Sequence, residues 1–418
     1  MKIAVIGSGI SGLVTAKELA TEHDVCVFEA NDYIGGHTHT HIVNDTQQEH
    51  RIDTGFIVCN DRTYPHFFSL LDELQVKRIP TTMGFSVSEK NKKFAYAGTS
   101  LNALFAERSQ IFSIKFWGML KDIIKFNREA GSDIEYDLSM EEYLLKKGYS
   151  NYFIERYVIP MGAAIWSSDP RQIREMPMRF FVQFFHNHGL LTVMDQPQWY
   201  VIEGGSSAYI KPLIANYADK IRLSSPVLNV TRHTDHVLIS SKANHNERFD
   251  AVVFACHSDQ ALRLLDTPSA REQAILQSIP YQVNKAVLHT DTSVLPHNKR
   301  AWAAWNYQIS ENCNKGATLS YNMNILQHIQ SDHVYSVTLN QLDAIDEKTI
   351  IKEIDYFHPV FSVSATHAQG QWHEISGHQN TYYCGAYWRW GFHEDGVFSG
   401  LRAANQIKSD FKNGSMSV

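Results

Sequence analysis

The sequence predicts an α/β fold: a parallel sheet covered by helices, assembled from separated stretches of chain and interleaved with a second, α+β unit. Three observations carry this expectation. The first thirty residues run strand, glycine-rich turn, helix and strand. The hydrophobic pattern leaves that regime and returns to it near residues 200 and 375. A second glycine-and-acid turn, leading into a helix, follows close to the end of the sequence.

The opening unit defines the chemistry. Residues 2–6 form a β-branched run, and Gly7, Gly9 and Gly12 follow in the spacing GxGxxG with Ser11 in the same turn. In that spacing Gly7 permits the tight turn, Gly9 lets backbone approach a pyrophosphate, and Gly12 lets helix pack on strand. The helix then starts with free N–H groups and the positive end of its dipole toward the phosphates. Ile10, Leu13, Val14, Ala16 and Leu19 recur at helical spacing, and the next strand, 25–28, ends at Glu29 and Ala30. Glu29 stands about 20 residues beyond the glycines, where a carboxylate takes a ribose 2′-hydroxyl and repels a 2′-phosphate. Strand, turn, helix and acid together predict a Rossmann-like dinucleotide site without separating NAD from FAD.

With 418 residues the chain is long enough for two domains or one large discontinuous unit. A net charge of −6 and no long basic run argue against a nucleic-acid partner. Cys26, Cys59, Cys256, Cys313 and Cys384 are scattered without CxxC spacing, as in reduced cytosolic proteins. The first strand begins at residue 2, which leaves no room for a signal peptide, and no run of about eighteen apolar residues could span a bilayer. A cytoplasmic protein is expected, with any membrane contact peripheral and on the inner face.

After the acid comes Gly35-Gly36-His37-Thr38. This second glycine pair resembles the extended fingerprint of FAD-binding flavoproteins of the amine oxidase and phytoene desaturase superfamily. There the pair is usually followed by arginine and runs along the flavin pyrophosphate; here His37 stands instead. Asp53-Thr54-Gly55-Phe56 resembles the acid-x-glycine segment leading toward the isoalloxazine. His37, His39 and His41 alternate and would share one face of a strand. Without a cysteine or carboxylate set nearby they read as surface or cofactor-flanking residues, and no metal is expected.

Residues 62–76 read as a helix with Phe67, Leu70, Leu71 and Leu74 on one face, 85–88 and 93–96 as a hairpin, and 101–147 as a long helical region. Within it, Lys121, Lys125 and Arg128 cluster on one side while Phe116, Trp117, Leu120, Ile123 and Ile124 spread over the rest. Residues 111–128 fit either a helix covering a pocket or an interfacial helix in peripheral contact with a membrane. Residues 160–168 and an aromatic helix at 180–189 favour a deep apolar cavity over a site for a charged metabolite.

The chain returns to the nucleotide-binding pattern near Tyr200, through a turn at Gly204-Gly205 and strands at 221–223, 227–232 and 250–256. The resemblance implies that backbone at Val227 meets the adenine end of FAD. Cys256 and His257 are neighbours on a strand and point to opposite faces, so they are not a nucleophile pair. Strand 282–289 carries Lys285; the resemblance implies a lysine holding a water against flavin N5, and a lysine snorkelling from a sheet edge stays open beside it. Segments 301–307 and 319–324 are further strands. Gly385 and the run Phe392-His393-Glu394-Asp395-Gly396 resemble the C-terminal flavin block, in which a helix N-terminus sets N–H groups against the isoalloxazine carbonyl and the ribityl phosphate. Phe392 matches a position where many amine oxidases carry a cage tyrosine. It lacks the hydroxyl, and no cysteine matches the covalent flavin attachment, which implies non-covalent FAD. A tail is expected from about residue 409.

The resemblance spans nearly the whole chain. It implies an FAD-binding domain of 1–80, 200–276 and 375–412 with a ββα extension, an amine-oxidase-like substrate domain of 81–199 and 277–374, and a 413–418 tail. More closely, GGHTHT, DTGFIV, PMGAAIWS, NHGLL, ACHSDQAL, WNY and GFHEDG resemble the bacterial predicted NAD/FAD-binding proteins associated with cyclopropane-fatty-acid-synthase-like enzymes. The implied function is dehydrogenation of an apolar, fatty-acyl or lipid substrate by hydride transfer to flavin N5. Alternatives are a flavin amine oxidase, drawing on Lys285 and the C-terminal aromatics, and a non-redox isomerase resembling UDP-galactopyranose mutase, for which no arginine pair is evident. A non-catalytic binding protein resembling Rab GDP-dissociation inhibitors would lack the intact glycine fingerprint.

Overall fold

A computed structural model describes residues 1–46, 48–89, 92–130, 138–187, 197–309 and 317–414. Five parallel strands form one sheet in the order Ile221–Arg222, Asp24–Phe28, Lys2–Ile6, Ala251–Phe254, Thr381–Tyr383. Both faces are covered, which is why these strands read as continuous apolar runs. Ile3, Val5, Val25, Val27, Val253 and Tyr382 pack on one side with the helices Ile10–Leu19 and His393–Lys412. Ala4, Ile6, Phe28, Val252, Phe254 and Tyr383 pack on the other, against the antiparallel strands Val227–Arg232, Val237–Ser241 and Glu247–Phe249.

The two helices on the first face run side by side in the same direction. A Cβ on Gly396 would come within 2.6 Å of Ile10 Cγ2, and one on Gly400 within 2.5 Å of the Ser11 carbonyl oxygen. Thr15 Oγ1 donates to the Gly400 carbonyl at 3.2 Å, and Lys408 meets Glu18 at 3.5 Å further along. Their N-termini therefore lie together at one edge of the sheet, although 383 residues separate Ile10 from His393.

The second sheet has seven strands in the order Ile350–Pro359, Tyr281–His289, Ser336–Leu339, Leu319–Asn322, Trp305–Ile309, Phe85–Glu89, Phe94–Ala97. All its pairings are antiparallel except that of Trp305–Ile309 with Phe85–Glu89. Helices Ile114–Glu129, Met140–Lys146, Ile159–Trp166 and Met178–Asn187 close over its far end around a core that includes Phe116, Phe126, Phe153, Phe181 and Phe185.

The expected helix over 101–147 is broken into Leu101–Leu104, a 3₁₀ turn Arg108–Phe112, Ile114–Glu129 and Met140–Lys146. A serine caps the start of the first piece and of each of the last two. Ser100 accepts from Ala103 N, Ser113 from Phe116 N, and Ser139 forms a capping box with Glu142. The 62–76 helix is trimmed to Pro65–Glu73, with proline in its first turn. The tail expected from residue 409 is still helical to Lys412. Cys313 and the end of the 180–189 segment, His188 and Gly189, lie outside the described residues. No helix among the described residues is long and apolar enough to cross a membrane.

Candidate active site

The glycine turn is set by close approach. Gly12 lies so near the preceding loop that a Cβ would stand 2.1 Å from the Gly7 carbonyl oxygen, and Gly7 itself has φ +111°. Gly9 faces open space, with nothing within 4 Å of where its Cβ would be, and it pairs with Gly35 in a parallel bridge. Gly36 continues the second glycine segment against Gly9. The N-terminus of the first helix, with Ser11 in its first turn, is thus left clear of side chains at Gly9.

Glu29 is buried at the end of its strand. One carboxylate oxygen accepts from Ser8 N at 2.9 Å and Ser8 Oγ at 2.6 Å, and the other accepts from Asn31 N at 2.8 Å. Ala30 beside it is exposed. Ser225 N donates to the Glu29 carbonyl at 2.8 Å, which brings the segment leading to buried Val227 next to the acid.

Asp53 ties the second segment down. It is fully buried and accepts from Ser206 N at 2.9 Å, Ser206 Oγ at 2.8 Å, Thr40 Oγ1 at 2.5 Å and Gln327 Nε2 at 2.9 Å. Burial pushes its carboxyl up to about 6 despite these donors. Close by, Thr38 Oγ1 bonds the Tyr209 hydroxyl, which lies 2.7 Å from His393 Nε2. The His393 ring stacks on Phe56 at 3.8 Å, and burial holds it neutral by lowering it to about 3.

At the second helix N-terminus two acids separate in role. Asp395 accepts from Phe392 N at 2.9 Å and sits 3.6 Å from Arg389, with its carboxyl pushed up to about 7 by burial. Glu394 stands in the first turn of the helix as expected, and its side chain reaches to another helix. Its carboxylate accepts from His66 N at 3.1 Å, Phe67 N at 2.8 Å and His66 Nδ1 at 2.6 Å. It therefore caps the Pro65–Glu73 helix, whose unpaired N–H groups need an acceptor. The Gly385 N–H, expected to face the cofactor, donates to Ser399 Oγ at 3.0 Å, and the Gly396 N–H bonds back to Phe392 O within the helix.

Of the two placements expected for Lys285, the structure takes the exposed one and not the flavin-facing one. Its side chain is 43% exposed on the outer face of the sheet, 3.4 Å from Glu353 and 3.9 Å from Asp355. Because strand side chains alternate, the inward position belongs to its neighbour Asn284, which is only 1% exposed. Asn284 Nδ2 donates to His358 Nδ1 at 2.8 Å, and Asn284 Oδ1 accepts from Asn340 Nδ2 at 2.7 Å. Asn340 Oδ1 in turn accepts from Lys285 N at 3.0 Å. This chain of donors leaves His358 with its proton on Nε2.

His358 belongs to a group of neutral imidazoles. Its ring lies 5.3 Å from that of His37, which also stacks on Tyr356 at 5.0 Å. His257 stacks on Tyr281 at 4.3 Å. Burial lowers His257 and His358 to about 4 each, and holds His37 well below the ordinary imidazole range. His37 Nε2 is buried without a hydrogen-bond partner among the described residues. The three alternating histidines do not share one strand face. The strand begins only at Thr40, so His39 and His41 pair at 4.1 Å while His37 goes to Tyr356 and His358.

Phe392 lies where the two cores meet and stacks on Phe184 at 5.0 Å. Phe184 is 4.8 Å from Trp166, and Phe180 stacks on Phe361 at 5.0 Å. Asn284, His358 and Tyr356 escaped the sequence reading; the available signal was the polar pair Gln282 and Asn284, in phase with buried Ala286 and Leu288.

Comparison with known proteins matches residues 10–355 to the family described as flavin containing amine oxidoreductase. An L-amino-acid oxidase of Mus musculus is 21% identical over 313 residues, 67% of this chain and 46% of that protein, so the chain spans less than half of that relative's length. Among solved structures, cyclohexylamine oxidase from Brevibacterium oxydans superposes with a TM-score of 0.69 at 16% identity, covering 98% of this chain and 99% of that one. A CLA-producing fatty acid isomerase from P. acnes gives 0.70 at 15% identity, covering 98% of both. At these identities the structural likeness establishes the fold alone.

Proposed function

Since this chain belongs to the flavin containing amine oxidoreductase family and is an FAD-dependent oxidoreductase, we propose that it dehydrogenates an apolar substrate of the fatty-acyl or lipid class. The observation that carries this reading is the stacking of Phe392 on Phe184, backed by Trp166.

The residues present fit FAD held without a covalent link. The side-chain-free helix start at Gly9 suits the pyrophosphate, the fixed Glu29 carboxylate the ribose, and the orphaned His37 Nε2 a polar atom of the cofactor. Bound FAD supplies the two-electron acceptor. The chain's own groups do the rest. The aromatic wall binds alkyl chain and excludes water. The adjacent helix N-termini and the uncharged state favoured for Asp395 leave a positive potential beside Phe392. Asn284 and His358 present a fixed N–H donor rather than a charged base.

The fatty acid isomerase shows that a fold of this shape can act on such chains. Amine oxidation is the other reading that the family raises. The outward Lys285 and the missing hydroxyl at Phe392 weigh against it. Anaerobic titration discriminates: fatty-acyl lipids should bleach the flavin absorbance and small amines should not. Bleaching by an amine but by no lipid would overturn the substrate assignment.

A further inference from the structure

The turn Arg108–Phe112 and the helix Ile114–Glu129 carry an exposed face that is apolar and basic, on which Trp117 meets Phe105 at 5.5 Å and Arg128 pairs with Glu129. Phe112 is 87% exposed and Ile114 89%, at the junction between the 3₁₀ turn Arg108–Phe112 and the helix Ile114–Glu129. The helix buries Phe116, Met119 and Phe126. Its opposite stripe, at spacings of three and four, is Ile114, Trp117, Lys121, Ile124 and Arg128, all exposed. The Trp117 indole N–H is already satisfied by the Ile111 carbonyl at 2.8 Å, so the ring presents an apolar face with no unmet donor.

Charge on this face opposes that of the molecule. Between residues 108 and 128 stand Arg108, Lys115, Lys121, Lys125 and Arg128 against the single acid Asp122, in a chain of net charge −6. Lys115 and Lys121 have no ion-pair partner among the described residues.

Beside the exposed tip lies a pocket of about 250 Å³ lined by Ser109, Gln110, Ser113, Lys93 and Arg156 among others. Gln110 is only 5% exposed, yet neither its amide oxygen nor its nitrogen has a hydrogen-bond partner, and Arg156 Nε is likewise unpartnered. An unpaired buried amide is costly unless a ligand or water completes it. The one acid in the pocket, Glu89, is already neutralised by Lys92 and by Arg156 at 2.9 Å. What remains offered is an amide, hydroxyls and cationic N–H groups, a set suited to phosphate.

We propose that this face docks on an anionic phospholipid bilayer. Phe112 and Ile114 enter the interfacial layer, Lys115 and Lys121 meet the lipid charge, and the Gln110 pocket receives one lipid phosphate. The proposal is independent of which substrate the flavin site oxidises.

The test is flotation of the holoprotein with phosphatidylcholine vesicles and with vesicles containing phosphatidylglycerol, with flavin absorbance in the floated and pelleted fractions confirming that each variant is folded. The wild type should float with the anionic vesicles only and be released at high salt. The double variant Phe112→Ser/Ile114→Ser should lower partitioning about tenfold or more. Lys115→Gln/Lys121→Gln should lower it roughly fivefold per charge removed. Gln110→Leu should weaken binding to anionic vesicles several-fold. A wild type that fails to float, or a Phe112→Ser/Ile114→Ser variant that floats like the wild type, overturns the proposal. So does concentration-dependent dimerisation lost in that variant, which would make a second copy the occupant. Wild-type binding by Gln110→Leu overturns the phosphate site.

Discussion

Asn284 Nδ2 donates to His358 Nδ1 across 2.8 Å, and this pair, not Lys285, is what the two neighbouring strands turn inward. Asn284→Ala leaves the His358 acceptor and an Asn340 donor without this partner and should destabilise the protein by about 1–3 kcal/mol in urea unfolding. Lys285→Ala should cost no more than about 0.5 kcal/mol, as an exposed substitution does. It should also leave the rate of flavin reduction unchanged. Loss of reduction in Lys285→Ala would contradict the outward placement.

Glu29 is held by three donors before any ligand arrives, so its carboxylate is preorganised at the strand end. Glu29→Ala should weaken FAD retention about tenfold or more, read by dialysis and flavin fluorescence. Unchanged flavin occupancy would remove the assignment of the adenosine half of the site.

Two glycines of one turn should behave differently. At Gly12 a Cβ would collide with backbone at 2.1 Å, so Gly12→Ala should destabilise by about 1–3 kcal/mol or more. At Gly9 the same Cβ meets nothing within 4 Å. Gly9→Ala should therefore keep its melting temperature while losing affinity for FAD. Parallel losses of stability in both variants would show that Gly9 serves the fold rather than the cofactor.

Asp395 predicts a pH dependence. Burial raises its carboxyl from 3.8 to about 7, so between those values the folded state keeps a proton that the unfolded chain releases. Its contribution is fully present below about pH 4 and is lost as pH rises through about 7, with each unit of difference worth ~1.4 kcal/mol. Asp53, raised to about 6, acts in the same direction. Asp395→Asn, which preserves the cap, should flatten the part of the stability profile nearest neutrality and leave the Asp53 part. Urea unfolding across that pH range measures it; an unchanged slope would show that Asp395 is ionised in the folded protein.

The sequence was legible where local spacing determines structure. The spacing of Gly7, Gly9, Gly12 and Glu29 lies within thirty residues, and Gly12 against Gly7 and Glu29 against Ser8 are contacts inside that stretch. The FAD-dependent family was legible because its blocks recur in a fixed order along the chain. What stayed hidden depends on direction rather than identity. Lys285 was placed in the right strand with its face left open, because strand phase is set by pairing with the Ile350–Pro359 strand, about seventy residues away. Glu394 was placed at the right helix start, but its carboxylate answers a need 328 residues earlier at His66 that no local pattern announces. Two breaks in the 101–147 helix were available in principle, since Ser113 and Ser139 are ordinary capping residues, but the apolar periodicity overrode them.

The pairing of the first and last helices through Gly396 and Gly400 has a consequence for biosynthesis. The glycine turn is synthesised well before the helix that packs beside it, which starts 383 residues further along the chain. A chain stopped before His393 would expose Ile10, Leu13 and Val14 where Val397 and Ala404 should lie. The first helix thus gains its cover only once the helix His393–Lys412 has been made.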